Sequence, residues 1–189
     1  NQITMTVNPN VTPSVSIAIT AGTNPTCSGV TVTFTATPTN GGASHTYNFR
    51  VNGGSVQNTA SATYVTTTLA NTDAVTCIMT SNAPCPSPST ATSNSIAMTV
   101  NALPSAPGSA PSPSPASPTC SNSAQNFTFT NVTAGAGGNQ IDWATNAGFS
   151  PLGGTVASGA NSIVVNVASG ASTTVYFRSK ASATGCVSS

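Results

Sequence analysis

Alternation of apolar and polar residues predicts β-strands along most of this chain. In residues 30–36, Val30, Val32, Phe34 and Ala36 alternate with polar residues, so one face of the strand would be buried and the other wet. This pattern is typical of antiparallel sheets that pack on one side. Similar runs predict strands near 14–19, 30–36, 45–51, 55–58, 62–68, 74–80 and 95–100, and then near 126–132, 140–145, 155–157, 162–167 and 173–179.

The chain also repeats itself. Residues 94–100 (Asn-Ser-Ile-Ala-Met-Thr-Val) match residues 1–7 (Asn-Gln-Ile-Thr-Met-Thr-Val) at five of seven positions, at an offset of 93. Residues 117–121 (Ser-Pro-Thr-Cys-Ser) match residues 24–28 (Asn-Pro-Thr-Cys-Ser) at the same offset. Such self-similarity predicts two modules of one type. It also indicates that the chain begins with the kind of strand that ends a module.

These patterns divide the chain into four parts. Residues 1–7 form a strand that completes another module, residues 8–101 form module one, and residues 119–189 form module two. Residues 102–118 are rich in proline and serine, and proline donates no ladder hydrogen bond. They are interpreted either as a semi-rigid linker or as a segment lying against an edge of module two.

Module two is predicted to lack its last strand. Three residues follow Cys186, whereas module one continues for fifteen residues beyond Cys85 before its last strand ends at Val100. The predicted core of module two is otherwise complete and consists of Phe127, Phe129, Ile141, Trp143, Ile163, Val165, Val167, Val175 and Phe177. An open edge and an apolar groove are therefore expected on this module.

Charge is nearly absent from the sequence. Only five side chains are acidic or basic, and the net charge is +1. So few cations cannot neutralise a run of phosphates, which argues against nucleic-acid partners and against binding to an anionic membrane surface. No apolar stretch is long enough to span a membrane, and no membrane insertion is predicted. Weak repulsion between copies favours a protein that associates.

The five cysteines predict two disulfides. Cys27 and Cys120 precede equivalent strands, and Cys85 and Cys186 follow equivalent strands, so the predicted bridges are Cys27–Cys85 and Cys120–Cys186. Cys77 then remains a free thiol on a core face, where it behaves as a small apolar residue. The rival pairing is Cys27–Cys77.

Catalytic chemistry finds no support in the sequence. His45 is the only histidine, and Asp73 and Asp142 are the only acids, so neither a metal cluster nor a glycosidase pair is expected. Asp73 is expected to accept a hydrogen bond from a turn backbone, and Trp143 is expected to lie in the core. We therefore predict no catalytic residue, no cofactor and no metal site.

Several segments resemble a known class of modules: residues 25–36, 74–77 and 95–100, followed by 141–143, 175–179 and 184–186. They are similar to the immunoglobulin-like and PKD-like repeats of very large secreted surface proteins of Bacteroidota, including gliding-type adhesins. The resemblance implies an all-β fold of two tandem immunoglobulin-like antiparallel β-sandwiches. It also implies export, a stalk or filament architecture, and adhesion at the cell surface. No catalytic residues come with it.

The repeat and the missing strand together predict a structural subunit of an extracellular filament. Residues 1–7 of one subunit would enter module two of an identical subunit, with Ile3, Met5 and Val7 as the buried side chains of the donated strand. The alternative is a tandem-repeat stalk segment of a giant adhesin, in which the next module of the same chain supplies the strand. A carbohydrate-binding module with surface glycans as partners is a third, less favoured reading, because the chain has few aromatic residues.

Overall fold

The chain folds into β-strands that form two compact units. The computed structural model describes residues 2–107, 113–116, 123–129, 132–157, 159 and 163–188. Unit 1 comprises Asn1–Asn101 and unit 2 comprises Ala102–Ser189. No helix occurs among the described residues, so none of them forms a helix that could cross a membrane.

Unit 1 contains ten strands among its described residues. They are β1 (Ser14–Ala21), β2 (Thr26–Cys27), β3 (Val32–Thr39), β4 (Thr46–Val51), β5 (Gly54–Thr59), β6 (Thr63–Thr66), β7 (Ala74–Thr80), β8 (Thr90–Thr92), β9 (Ile96–Ala97) and β10 (Val100–Asn101).

Two antiparallel sheets enclose the core of unit 1. One sheet has the order β1-β3-β6, and the other has the order β5-β4-β7-β8, with β9 also pairing with β7. Alternate residues of both sheets point inward, and the largest fully buried side chains include Phe34, Tyr47 and Phe49. Tyr64 stacks between the two phenylalanines, at ring-centroid distances of 6.1 and 5.6 Å. Aromatic rings of this size dominate the energy of a small core.

Unit 2 repeats this plan with fewer described strands. They are β11 (Pro113–Ser114), β12 (Gln125–Phe129), β13 (Gln140–Ala144), β14 (Gly154–Ala157), β15 (Ile163–Val167) and β16 (Tyr176–Lys180). Their sheets have the orders β11-β12-β15 and β14-β13-β16.

Part of the proline-rich segment joins the second unit. Pro113 and Ser114 pair antiparallel with Phe129 and Thr128, so β11 is a short edge strand beside β12. An edge position tolerates proline because the missing N–H faces away from the ladder. Pro104 is also buried in this unit. The described part of the segment therefore corresponds to the edge alternative of the sequence analysis.

The prediction of an all-β, antiparallel fold with two sandwiches is confirmed. All nine residues predicted for the core of the second module belong to its apolar cluster. The differences are local. The short strands β2 and β8 were not predicted, and the last strand of unit 1 is interrupted at residues 98–99. The interruption arises because Met98 bonds to a loop instead of to a neighbouring strand.

Candidate strand-acceptor site

Residues 94–100 close the sandwich of unit 1. Ile96 pairs with Val75 on β7, and the next contacts are to the loop between β6 and β7. The Met98 N–H donates to the Asp73 carbonyl at 2.8 Å, and the Thr72 N–H donates to the Met98 carbonyl at 2.9 Å. The Met98 side chain is 2% exposed and belongs to the core, whereas Ile96 is only partly buried. Met98 is therefore the main apolar anchor of this segment.

Side-chain amides hold the same segment where ladder bonds are missing. Asn94 exchanges two hydrogen bonds with the backbone of Ile17, at 2.9 and 3.1 Å. Asn24 donates to the Ala97 carbonyl and accepts from the Thr99 N–H, both at 2.8 Å. Satisfying these backbone groups removes the desolvation cost that an irregular edge would otherwise carry. The sequence analysis did not identify these asparagines, because nothing in their local pattern marks a long-range contact.

The corresponding edge of unit 2 is only partly covered. Its last described residues return along β16, where Val187 pairs with Lys180 and the Ser188 N–H donates to the Ser179 carbonyl at 2.8 Å. The segment of Val187 and Ser188 is the counterpart of β8, because Ser179 occupies the position in β16 that Met79 occupies in β7. Among the described residues, no strand pairs with β16 at Tyr176 or Phe177 on that side.

The register of the two units can be compared directly. Phe49 of β4 pairs with Cys77 of β7, and Trp143 of β13 pairs with Phe177 of β16. Val75 lies two residues before Cys77 in β7, and Val175 lies two residues before Phe177. Val175 is therefore the counterpart of Val75. In unit 1 Val75 pairs with Ile96. The described part of unit 2 contains no strand in the place that Ile96 occupies.

A cavity of about 260 Å³ in unit 2 reaches Val175, the residue whose counterpart in unit 1 pairs with Ile96. Its apolar walls come from β12, β15 and the residue before β16: Phe127, Phe129, Val165, Val167 and Val175. The loop between β15 and β16 forms another part of the lining and contributes only Ala, Ser, Gly and Thr side chains over residues 168–173. In unit 1 the equivalent loop contributes Leu69, which is buried in the core. The second unit therefore contains an unfilled space where the first is packed.

Residues 2–10 lie outside the strands of unit 1. Ile3, Met5 and Val7 are 82%, 84% and 91% exposed. Three large apolar side chains at alternate positions form an exposed apolar stripe, which is an unusual feature of a free surface. The structure brings these residues into no contact with the core of unit 1. Their predicted role as a donated strand remains a prediction.

The predicted bridge Cys27–Cys85 is wrong, because Cys85 is an exposed free thiol. Cys27 lies in β2, which leads into the start of β3, whereas Cys85 bonds to Val11 beside the start of β1. The start of β1 pairs with the end of β3, so the two cysteines lie at opposite ends of an eight-residue strand. That separation is about 27 Å, far beyond the ~7 Å that a disulfide spans.

The remaining cysteines have different environments. Cys27 and Cys186 are each disulfide-bonded. Cys120 lies outside the described residues. Its predicted bridge to Cys186 is nevertheless wrong, because Cys27 is disulfide-bonded, Cys77 and Cys85 are free, and that bridge would use up the two cysteines that could pair with Cys27. Cys77 is free and fully buried, which also excludes the rival pairing Cys27–Cys77. Burial raises the pKa of the Cys77 thiol to about 11, although a backbone hydrogen bond from Asn48 opposes this shift. A thiol in this state is unreactive.

Three of the five charged residues meet on one sheet of unit 2. The Asp142 carboxylate is 1% exposed and accepts hydrogen bonds from Arg178 Nε and Nη2, at 3.2 and 3.1 Å. Lys180 Nζ lies 3.9 Å from the same carboxylate, and Thr155 also donates to it. The guanidinium of Arg178 stacks on Phe149, 4.4 Å from the ring centroid. A buried carboxylate that accepts hydrogen bonds on both oxygens fits a structural role.

The other polar candidates are also bound within the fold. Asp73 accepts a hydrogen bond from the Ala70 N–H at 2.8 Å, which confirms its predicted turn role. His45 lies 2.8 Å from both the Gly42 carbonyl and the Tyr47 hydroxyl. Trp143 packs against the unit 2 core, and a Cβ added to Gly153 would collide with the indole. Among the described residues, no three His, Cys, Asp or Glu side chains group as a metal site would require.

Comparisons with known proteins give a likeness of fold alone. No protein-family model and no curated protein sequence matches this chain. Among solved structures, the chain is similar to fibronectin(III)-like modules of Clostridium thermocellum CbhA, with 12% identity, a TM-score of 0.45, and coverage of 92% of this chain and 89% of that one. It is also similar to the human OSCAR ligand-binding domain, with 14% identity, a TM-score of 0.35, and coverage of 93% and 94%. A third neighbour is the central fibronectin-III array of RIM-binding protein, with 16% identity, a TM-score of 0.31, and coverage of 93% and 58%. These neighbours are repeat and binding modules of the immunoglobulin-like and fibronectin-III type.

Proposed function

We propose that this chain is a structural subunit of an extracellular filament that assembles head to tail by strand donation. Residues 2–7 of one copy enter the open edge of unit 2 of the next copy. One observation carries the proposal: a near-duplicate of the strand that closes unit 1 is exposed in residues 2–7, and the described part of unit 2 has no strand in that place. A donated strand supplies main-chain hydrogen bonds for affinity and alternate side chains for register.

The mode of contact favours a polymer. The donor belongs to unit 1 and the acceptor belongs to unit 2, so the two surfaces differ and the contact is heterologous. Such a contact generates a ring or an open filament instead of a closed two-fold dimer. Disulfide bonding of Cys27 and Cys186 supports an oxidising, extracellular environment. A cell-surface adhesive or stalk role follows from this architecture.

A structural role is favoured over a catalytic or sugar-binding one. The described acids and the histidine are held by hydrogen bonds within the fold. Trp143 is partly buried and packs against Gly153 and the core, which leaves less ring surface for sugar stacking. Surface glycans therefore remain the less favoured partners.

Electron microscopy of the purified chain tests the assembly. Deletion of residues 1–7, or Met5→Asp, should abolish filaments and leave both units folded, because Met5 contributes nothing to either core. Thr4→Asp is the matched control, since its counterpart Ala97 is exposed in unit 1 and a charge there is tolerated. Filaments of normal length from the deletion variant would refute strand donation.

The tandem-repeat alternative uses the same groove and the same strand, with the donor in the same polypeptide. The mass of the denatured natural protein separates the two forms. A mass of 18.5 kDa supports the separate subunit, and a mass of hundreds of kilodaltons supports the continuous array.

A further inference from the structure

We infer that the cavity of unit 2 is a binding pocket for the side chain of Met5 from a second copy of the chain. The inference rests on the proposed strand donation and deepens it. It assigns most of the recognition to one side chain and one pocket, instead of sharing it equally among Ile3, Met5 and Val7.

The first step is that the cavity occupies the place of Met98. Phe34 pairs with Tyr64 in unit 1, and Phe127 pairs with Val165 in unit 2. Phe34 and Val75 belong to the same buried cluster as Met98, and their counterparts Phe127 and Val175 line the cavity. The backbone of Met98 bonds to the loop between β6 and β7, and the corresponding loop over residues 168–173 also lines the cavity. The same site is therefore filled in unit 1 and unfilled in unit 2.

The second step concerns size. The cavity of about 260 Å³ is larger than the ~150 Å³ cavities known to bind benzene-sized ligands. Unit 1 fills the equivalent space with Met98 and with Leu69 from the loop. The described part of unit 2 has neither, because no strand there takes the place of residues 96–98 and the loop carries only small residues. A long, unbranched side chain entering from the open edge fits this space best.

The third step separates Met5 from its neighbours. In unit 1 Met98 is fully buried, while Ile96 and Val100 are only partly buried. Their counterparts in the repeat are Met5, Ile3 and Val7. Methionine has three rotatable bonds and adapts to an irregular pocket, so it suits a cavity whose loop contributes only small side chains. Ile3 would then lie against Val175, which fixes the register of the donated strand.

A peptide-binding experiment tests the pocket. The receptor is the full chain carrying Met5→Asp, which retains the cavity and cannot donate its own strand. The probe is a fluorescent peptide of residues 1–8, followed by anisotropy. The Met5→Ala peptide should bind at least about 30-fold more weakly, because truncating a buried methionine costs roughly 2–5 kcal/mol. The Met5→Leu peptide should lose about 10-fold at most, and the Thr4→Ala peptide should bind within about threefold of the unchanged peptide.

Variants of the pocket provide the reciprocal test. Val167→Phe in the receptor should fill the cavity and weaken binding by about 30-fold or more. Val164→Phe is the matched control, because Val164 lies on the opposite face of β15 and is 50% exposed. Trp143 fluorescence checks that each receptor is folded. If Val167→Phe does not fold, the peptide series decides alone.

The outcomes distinguish the pocket from the assembly. Binding of the Met5→Ala peptide within threefold of the unchanged peptide, or unchanged binding to folded Val167→Phe, overturns the pocket and leaves strand donation standing. Absence of binding by the unchanged peptide overturns strand donation itself, and the pocket with it.

Discussion

Replacing each of the two repeated methionines by alanine should change the stability of unit 1 by very different amounts. Met98 and Met5 share nearly the same local sequence, but Met98 is 2% exposed and Met5 is 84% exposed. Met98→Ala should lower the free energy of unfolding of unit 1 by about 3–4 kcal/mol. This value lies within the range of ~2–5 kcal/mol for buried methionine, leucine or isoleucine. Met5→Ala should change it by less than about 0.5 kcal/mol in dilute, unassembled protein.

A cost well above the lower limit of that range is expected for Met98 because its site cannot collapse. Phe34, Val75 and Cys77 are 0% exposed and belong to two different sheets, whose spacing is fixed by the rest of the core. A residual cavity therefore persists, and the cost of a cavity rises with its volume. The segment keeps its hydrogen bonds to Thr72 and Asp73, so the change measures packing alone.

The chain carries its own reporters for this measurement. Cys77 is a buried free thiol in unit 1, so pulse alkylation in increasing urea reports unfolding of that unit after Cys85 has been blocked. Trp143 is the only tryptophan and reports unit 2 by fluorescence. Met98→Ala should move the Cys77 transition to lower urea and leave the Trp143 transition in place. A cost below about 1 kcal/mol for Met98→Ala, or an equal cost for Met5→Ala, would refute the assignment of residues 94–100 as the core-filling strand.

Further predictions concern the cysteines and the charged cluster. Iodoacetamide should modify Cys85 in the native chain and Cys77 only after unfolding, as peptide mass mapping would reveal; rapid native labelling of Cys77 would contradict its burial. The pKa of the Cys77 thiol is raised in the folded state, so the protonated thiol favours folding of unit 1. This contribution to the free energy of unfolding should be complete below pH 9 and should be lost as the pH rises through about 11. Cys77→Ala should flatten that dependence in urea titrations. Asp142→Asn should destabilise unit 2 by about 1–3 kcal/mol, as followed by Trp143 fluorescence, because Arg178 and Lys180 lose their acceptor charge; an unchanged midpoint would show that the cluster contributes no stability.

The strands and the core could be predicted from the sequence because their signal is local. Alternation over six to eight residues is enough to place a strand such as β3 and its buried face. Sequence identity alone was enough to find the repeated segment and to align its two copies. In unit 2, Val175 was predicted within a strand and instead precedes Tyr176, where β16 begins. It still belongs to the core, because burial depends on the face it occupies and not on its backbone bonds.

The cysteine pairing could not be predicted in the same way. The number of residues between a strand and a cysteine does not determine at which end of the sandwich the cysteine lies. Two cysteines can form a disulfide only if they lie at the same end. Cys85 and Cys186 both follow the equivalent strand, but they are not counterparts. Val187 pairs with Lys180, as Thr90 pairs with Thr80, so the counterpart of Cys186 is Ser89. The error came from equating sequence order with position in the sheet.

The cavity was predictable only in outline, because it arises from two separate absences. The lack of a last strand was an expectation from the sequence, whereas the lack of a counterpart of Leu69 among the described residues depends on how the loop of residues 168–173 folds over the core. Either absence alone would leave a space that neighbouring side chains could narrow by small shifts. Together they leave the pocket that we propose is filled by a single side chain from another copy. A nearly uncharged chain gives little repulsion between copies, so the affinity of such a contact would be set by packing and backbone hydrogen bonds, and would change little with salt.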